Sequence, residues 1–193
     1  PNMTAKIHPL LVNPYALSII TSSLALGTVV TLSSSHWVMA WIGLEINTLA
    51  IIPLMTKIPH PRAIEAATKY FLTQAAASAL ILFTSTMNAW LTGEWAISNE
   101  TDSTSTILFS IAISTKLGIA PFHFWLPEVI QGSTLQTGLI LSTWQKLAPM
   151  ALLTQLSQSV NLNLMLIMGL ISTMIGGWGG INQTQIRKIL AFS

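Results

Sequence analysis

The stretch Ser114-Thr115-Lys116-Leu117-Gly118-Ile119-Ala120-Pro121-Phe122-His123 places a lysine in an apolar segment, shortly before a glycine and a proline. Because proline has no N–H, Pro121 leaves the carbonyl of Leu117 without its helical hydrogen-bond partner. Inside a membrane, irregular backbone is tolerated only where it is buried in protein or lines a polar cavity. The stretch therefore predicts a broken transmembrane helix whose break lies beside such a cavity.

The same pattern recurs further along the chain. Trp144-Gln145-Lys146-Leu147-Ala148-Pro149 again places a lysine before a proline, and Pro149 removes the helical partner of the Gln145 carbonyl. Glu45 lies in an earlier apolar segment, with Pro53 two turns downstream. A charge at the centre of a bilayer costs at least about 2.5–3.5 kcal/mol on insertion scales, so it needs a partner, a water path or a function. These three segments predict an ion or proton pathway.

The composition indicates that a membrane is the solvent of this chain. Hydrophobic residues make up 51% and charged residues 7% of the 193 positions, whereas a soluble domain carries about 25% charged residues. The net charge of +2 arises from few charges rather than a basic patch, so we expect no nucleic-acid partner. The absence of cysteine excludes disulfides and thiolate-held metal clusters. With no metal-ligand spacing or phosphate loop, we expect neither a metal nor a bound cofactor.

Hydropathy predicts an all-α, polytopic transmembrane helix bundle without a soluble domain. About 20 apolar residues cross a bilayer core, and this length gives six spans and the start of a seventh. Five of the spans run over about 14–33, 36–56, 62–91, 133–153 and 161–180. The remaining one, fourth in chain order, begins near 104 and is interrupted at 118–121. The first apolar run has the features of a cleavable signal, but the spans that follow make the chain polytopic in either case.

Loop charges predict the orientation of the bundle. The N-terminal tail, the second loop and the segment after the sixth span are basic, whereas the loop after the third span is acidic. The basic residues are Lys6, Lys57, Arg62, Arg187 and Lys188, and the acidic residues are Glu94, Glu100 and Asp102. Six alternating spans put all the basic segments on one side, which we expect to be the inner side, cytoplasm or mitochondrial matrix.

Three ionisable residues fall at a similar depth. Glu45, Lys116 and Lys146 each lie roughly a dozen residues from one end of a predicted span. Loss of hydration disfavours their charged forms, and a nearby opposite charge favours them. A group held between these effects can load and release a proton, so we predict a proton pathway, with His123 as a possible relay. The alternative is a structural clamp between Glu45 and a lysine. Lys69, near a helix end, is expected to snorkel to the interface.

At these residues the chain resembles the antiporter-like membrane-arm subunits of respiratory complex I. The matching motifs are Trp41-Ile42-Gly43-Leu44-Glu45-Ile46-Asn47, Lys69-Tyr70-Phe71-Leu72-Thr73-Gln74, the segment 116–129 and the segment 144–149. The resemblance runs from about residue 13 to the end and is most specific to vertebrate mitochondrial members. It implies the first half of an inverted-repeat antiporter-like fold, in which the family's glutamate and two lysines correspond to Glu45, Lys116 and Lys146.

The resemblance also implies the setting of the chain. It implies proton translocation across the mitochondrial inner membrane, coupled to electron transfer from NADH to ubiquinone. The lipid bilayer and other membrane-arm subunits are the implied partners, and no homo-oligomer is expected. Other subunits carry the redox chemistry, so NADH and ubiquinone are used by the whole complex and no cofactor is bound here. The basic loops and the N-terminus are then expected on the matrix side.

The first dozen residues depart from the family pattern, since Val12 stands where an initiator methionine is expected. We expect residues 1–12 to be a leader translated from upstream sequence, and residues 13–193 to be a truncated antiporter-like domain. Two other classes of function remain open. A free-standing cation/proton antiporter needs the same buried groups, but sodium binding favours further carboxylates beside Glu45. A scaffold bundle with vestigial charges is the second alternative.

Overall fold

The computed structural model describes residues 13–98 and 101–193, so the predicted leader over residues 1–12 lies outside the described residues. The described residues form nine α-helices. These are α1 Pro14–Ser33, α2 Trp37–Met55, α3 Pro61–Thr92, α4 Ser103–Leu117, α5 Trp125–Gly132, α6 Leu135–Ser142, α7 Leu147–Gln155, α8 Leu162–Ile181 and α9 Ile186–Phe192. Within the two described ranges, β pairing is confined to an isolated bridge between His36 and Ala96. The all-α prediction is confirmed.

Side-chain caps fix where the first helices begin. The capping residues are Asn13 for α1, His36 for α2, His60 for α3 and Asp102 for α4, and each accepts a hydrogen bond from a backbone N–H in the first turn. A cap of this kind satisfies one of the N–H groups that a helix start leaves free. The Nδ1 atoms of the two histidines are thus committed to helix capping.

Four helices, α1, α2, α3 and α8, are long and apolar enough to cross a membrane, and this protein is a membrane protein. The fourth predicted span is broken between α4 and α5, as the sequence indicated. The fifth was predicted as one helix over 133–153, and that was wrong. A 3-10 turn, Trp144–Lys146, separates α6 from α7. Thr143 leaves regular helix geometry with φ −113° and ψ −70°, and Pro149 withholds the donor that would bind the Gln145 carbonyl.

The connections alternate between the two ends of the bundle. At one end, the backbone N–H of Trp37 donates to the carbonyl of Trp95 at 3.1 Å, which joins the α1–α2 turn to the loop after α3. At the other end, the guanidinium of Arg187 donates to the carbonyl of Ser133 at 3.0 Å, so the α8–α9 turn lies beside the α5–α6 turn. Six alternating crossings require this arrangement, and it brings basic segments to a common end.

Two apolar clusters hold the bundle together. One cluster joins α2, α4 and α7 around the stacked rings of Trp37 and Phe109, whose centroids lie 3.8 Å apart. The other joins α2, α3, α5 and α6 around Tyr70 and Trp125, whose rings meet edge to face. Between membrane helices such van der Waals packing replaces the hydrophobic effect as the main attraction. The candidate site lies where the two clusters meet, since Leu44 of the first cluster and Tyr70 of the second both line its cavity.

Helices α1 and α2 approach each other closely through two glycines. A Cβ atom at Gly27 would lie 2.5 Å from Asn47 Oδ1, and one at Gly43 would lie 2.8 Å from the carbonyl oxygen of Gly27. Each glycine therefore makes room for the facing helix. Because Gly43 and Asn47 face α1, Glu45 between them lies on the side of α2 that is turned away from α1.

Candidate functional site at the helix breaks

Lys116 lies in the last turn of α4, and its side chain is buried at 5% exposure. The helix ends because Gly118 adopts φ +76°, a conformation that glycine takes without steric cost. The N–H groups of Gly118 and Ile119 both donate to the Ser114 carbonyl, at 2.9 and 3.0 Å. This closed turn, a common way to end a helix, fixes Lys116 at the break.

Trp125 closes the break from the other side. Its indole Nε1 donates a hydrogen bond of 2.9 Å to the carbonyl of Thr115, a group near the end of α4. The same carbonyl also accepts the Gly118 N–H at 3.3 Å, so the first residue of α5 supplies its second and shorter hydrogen bond. Sequence reasoning assigned no role to Trp125. The available signal was a tryptophan too deep in its span for the aromatic belt near the membrane surface.

The two break lysines face one small cavity. Its free volume is about 10 Å3, close to the space that one water molecule needs. The polar residues that line it are Asn47, Thr48, Tyr70, Gln74, Lys116, Gln145 and Lys146. The side-chain amide of Gln145 also donates to the Asn47 carbonyl at 3.4 Å, which ties the second break to α2. Polar residues from three helices, α2, α3 and α4, and from the 3-10 turn thus form a buried polar site.

Glu45 lies close to this site without direct contact to either lysine. Its carboxylate acts electrostatically on Lys116 and on Tyr70. The ion pairs found within 4.0 Å among the described residues do not include Glu45. Its Oε1 atom is buried and has no hydrogen-bond partner in the protein. The sequence left open a direct ion pair between Glu45 and a lysine that clamps the helices together. The geometry differs from that alternative, because Glu45 acts on Lys116 from a distance and without an ion-pair contact.

Lys146 has a second environment besides the buried cavity. It is half-buried at the end of the 3-10 turn. It also lines an open groove of about 440 Å3 that continues along α6 to Arg187 and the end of α9. The side chain of Lys146 therefore connects the enclosed site of Lys116 with a larger and more accessible space.

His123 lies outside the cavity of the two lysines. It lines a separate cavity of about 50 Å3, together with residues of α8 and α9. Its ring packs against Phe124 and meets Phe192 edge to face, with centroids at 4.4 and 6.4 Å. Its Nδ1 atom is buried without a protein partner. The relay role of His123 stays a prediction.

Lys69 forms a separate ion-pair cluster at the basic end of the bundle. Its Nζ atom lies 2.8 Å from Glu65 and 2.6 Å from Glu128, and its side chain is 43% exposed. Glu65 precedes it by one turn of α3, whereas Glu128 belongs to α5. The cluster links the start of α3 to the short helix after the break, and the snorkelling of Lys69 stays a prediction.

The fold and the site define a class of protein: an all-helical membrane bundle with lysines at two helix breaks, built like the antiporter-like subunits of ion-translocating complexes. Residues 34–193 match the family described as "NADH:quinone oxidoreductase/Mrp antiporter, TM". The chain belongs to that family, and the resemblance drawn from its motifs is confirmed.

Similar proteins agree with this assignment. The chain is 70% identical over 181 residues to "NADH-ubiquinone oxidoreductase chain 2" of Aquarana catesbeiana, covering 94% of this chain and 52% of the relative. It is 64% identical to the protein of the same name from Salmo salar, with the same coverage. The chain thus spans about half the length of the curated relatives that it matches.

Solved structures share the architecture. "Respiratory complex I from Thermus thermophilus with bound Aureothin" contains a chain with a TM-score of 0.88 and 25% identity, covering 94% of this chain and 43% of that one. The "Structure of Mrp complex from Dietzia sp. DQ12-45-1b" gives a TM-score of 0.79 at 18% identity, covering 90% of this chain and 36% of that one. The second likeness concerns the fold alone. Both are multi-subunit membrane complexes.

Proposed function

We propose that this chain belongs to a proton-translocating membrane subunit of mitochondrial NADH:ubiquinone oxidoreductase. The observation that carries the proposal is the pair of lysines, Lys116 and Lys146, which face one buried cavity at two helix breaks. Charges in this setting are costly and occur in membrane helices mainly along ion and proton pathways. The 70% identity to a relative named "NADH-ubiquinone oxidoreductase chain 2" supports the same function.

The proposed mechanism uses three side chains. Lys116 receives a proton from the inner side of the membrane, and the charge of Glu45 favours its protonated form. Lys146 then accepts the proton at the far side of the cavity and carries it toward the open groove. A conformational or charge signal from a neighbouring subunit separates Glu45 from Lys116. That separation removes the attraction that retained the proton and drives its release.

The proposal includes the surroundings of the chain. The lipid of the mitochondrial inner membrane and other membrane-arm subunits are its partners, and the basic segments face the matrix. Electron transfer from NADH to ubiquinone takes place in other subunits, so this chain binds no flavin, nicotinamide or iron–sulfur group itself. Its contribution to the enzyme is proton transfer.

The substitution Lys116→Met tests the proposal in the full-length subunit within its assembled complex. Methionine has a similar length but holds no proton, and general acid–base groups contribute about 10²–10⁴-fold. We expect protons translocated per NADH to fall in reconstituted vesicles, with ubiquinone-linked NADH oxidation slowed at least about tenfold. Lys69→Met is the matched control, because it removes an ion-paired and partly exposed lysine. Normal pumping by assembled Lys116→Met complex would indicate a scaffold instead.

The family description also covers Mrp antiporters, so cation/proton exchange is the second candidate function. Sodium sites are built from oxygen ligands, as are those of other hard cations. Glu45 is the carboxylate that acts electrostatically on Lys116, and the cavity is lined by two lysines. Proton translocation that continues unchanged when sodium is replaced by choline would support the first proposal. A requirement for sodium would support antiport.

A further inference from the structure

We propose that the cavity between Lys116 and Lys146 holds one ordered water molecule, which the side-chain amide of Gln74 fixes in place, and that this water carries the proton between the two lysines. The inference rests on the proposed function, because it assigns the contact through which the proton passes. It makes Gln74 a positioning residue of the site.

Gln74 is a buried polar residue without a protein partner for its donor. It lies near the middle of α3 with 4% exposure and lines the cavity. Its Nε2 atom is buried and makes no hydrogen bond to the protein. Buried N–H donors in native structures are almost always paired, either with protein or with ordered water. In this position the partner left for the amide is a molecule in the cavity.

The cavity has the size and the polarity that a single water needs. Its free volume of about 10 Å3 corresponds to about one water-sized probe, and a buried water needs two to four polar partners. Thr48 supplies a second partner. Its hydroxyl donates to the Leu44 carbonyl at 3.0 Å, and its oxygen has two lone pairs. One of them accepts from the Tyr70 hydroxyl, and the other is left as an acceptor. A water molecule has two lone pairs and two hydrogens. If it accepts a hydrogen bond from Gln74 and donates one to Thr48, one lone pair remains to accept from one lysine and one hydrogen remains to donate to the other.

The transfer step is balanced. When Lys116 is protonated and Lys146 is neutral, an N–H bond of Lys116 breaks as the water oxygen takes that proton. An O–H bond of the water breaks as its hydrogen binds the amine of Lys146. The water is regenerated, and one positive charge has moved from the first lysine to the second. Because an amide carries no charge, Gln74 orients the water in the same way before and after this step.

The wild-type complex provides the first test. A structure of the full-length subunit in its assembled complex, at a resolution that shows ordered waters, should contain density within about 3.2 Å of Gln74 Nε2 and inside the cavity. Absence of that density would overturn the proposal, irrespective of the behaviour of any variant.

Two substitutions provide the second test. Gln74→Met keeps the length of the side chain and removes the donor, so the water density should disappear and protons translocated per NADH should fall several-fold. Gln74→Glu can donate only when its carboxyl group is protonated, so its pumping should recover as pH falls, whereas Gln74→Met stays low at every pH. Thr86→Val is the control, since Thr86 is an exposed polar residue of the same helix.

The outcomes separate this inference from the proposed function. If Lys116→Met stops pumping while Gln74→Met pumps as wild type, the water assignment is wrong and the proton pathway stands. If Lys116→Met itself pumps normally, the proposed function fails first. A loss of pumping in Gln74→Met that is identical in Gln74→Glu at every pH would indicate a packing role for Gln74 and overturn the water.

Discussion

Gly43 should be the position of α2 that is least tolerant of a single added methyl group. A Cβ there would lie 2.8 Å from the Gly27 carbonyl oxygen and 2.9 Å from the Thr31 backbone nitrogen, and it would also meet Thr31 Oγ1. An ordinary contact begins at 3.4 Å, so backbone must move by about 0.5–0.6 Å, which closely packed interiors resist. Overpacking of this kind costs about 1–3 kcal/mol.

The expected result of Gly43→Ala is a displaced α2 rather than a local rotamer change. Two of the three contacts are backbone atoms of α1, and no side-chain rotation removes them. Because Glu45 lies on the opposite face of α2, the displacement alters its separation from Lys116. We expect lower amounts of assembled complex, and fewer protons per NADH in the complex that does assemble.

The assay compares the separation of the α1 and α2 axes by electron cryomicroscopy with pumping in reconstituted vesicles. Gly169→Ala is the matched control, because a Cβ at Gly169 meets no atom of this chain within 4 Å. Gly27→Ala should be milder, since a Cβ there meets one backbone atom, the Gly43 carbonyl oxygen at 3.0 Å, and its other two contacts are the side chains of Asn47 and Ile46. If the Gly43→Ala complex has the same helix separation and the same pumping as wild type, the packing argument is refuted.

Two further changes address the helix after the first break. Trp125→Phe removes the indole donor to the Thr115 carbonyl, which keeps its 3.3 Å bond from the Gly118 N–H, so the loss of one hydrogen bond should cost about 0.5–1.5 kcal/mol. The thermal stability of the assembled complex measures this cost, and a stability equal to that of wild type would contradict it. Lys69→Met breaks the pairs with Glu65 and Glu128, yet exposed ion pairs contribute little. Assembly and pumping should therefore stay near wild type, and a loss as large as that of Lys116→Met would contradict the separation of the two lysine sites.

Much of the architecture follows from local properties of the chain. Hydropathy located the long spans to within one or two residues, because a bilayer fixes the length of an apolar helix. Proline and glycine act on their own backbone, so Gly118 and Pro121 predicted the first break where the structure has it. Pro149 indicated the second irregularity, although we expected one continuous helix there. The missing signal was the conformation of Thr143, which no residue type demands.

The sequence by itself determined that this is a helical membrane protein of the antiporter-like family, and it predicted that Glu45, Lys116 and Lys146 lie at similar depth. Depth follows from counting residues at 1.5 Å each along a helix. Only the tertiary structure decided that the two lysines share a cavity, that Glu45 stands apart from both, and that His123 faces another cavity. The direction of a side chain around its helix changes by 100° per residue. Which side chains face a neighbouring helix depends on how helices that are far apart in sequence pack together. No single segment of the sequence specifies that packing.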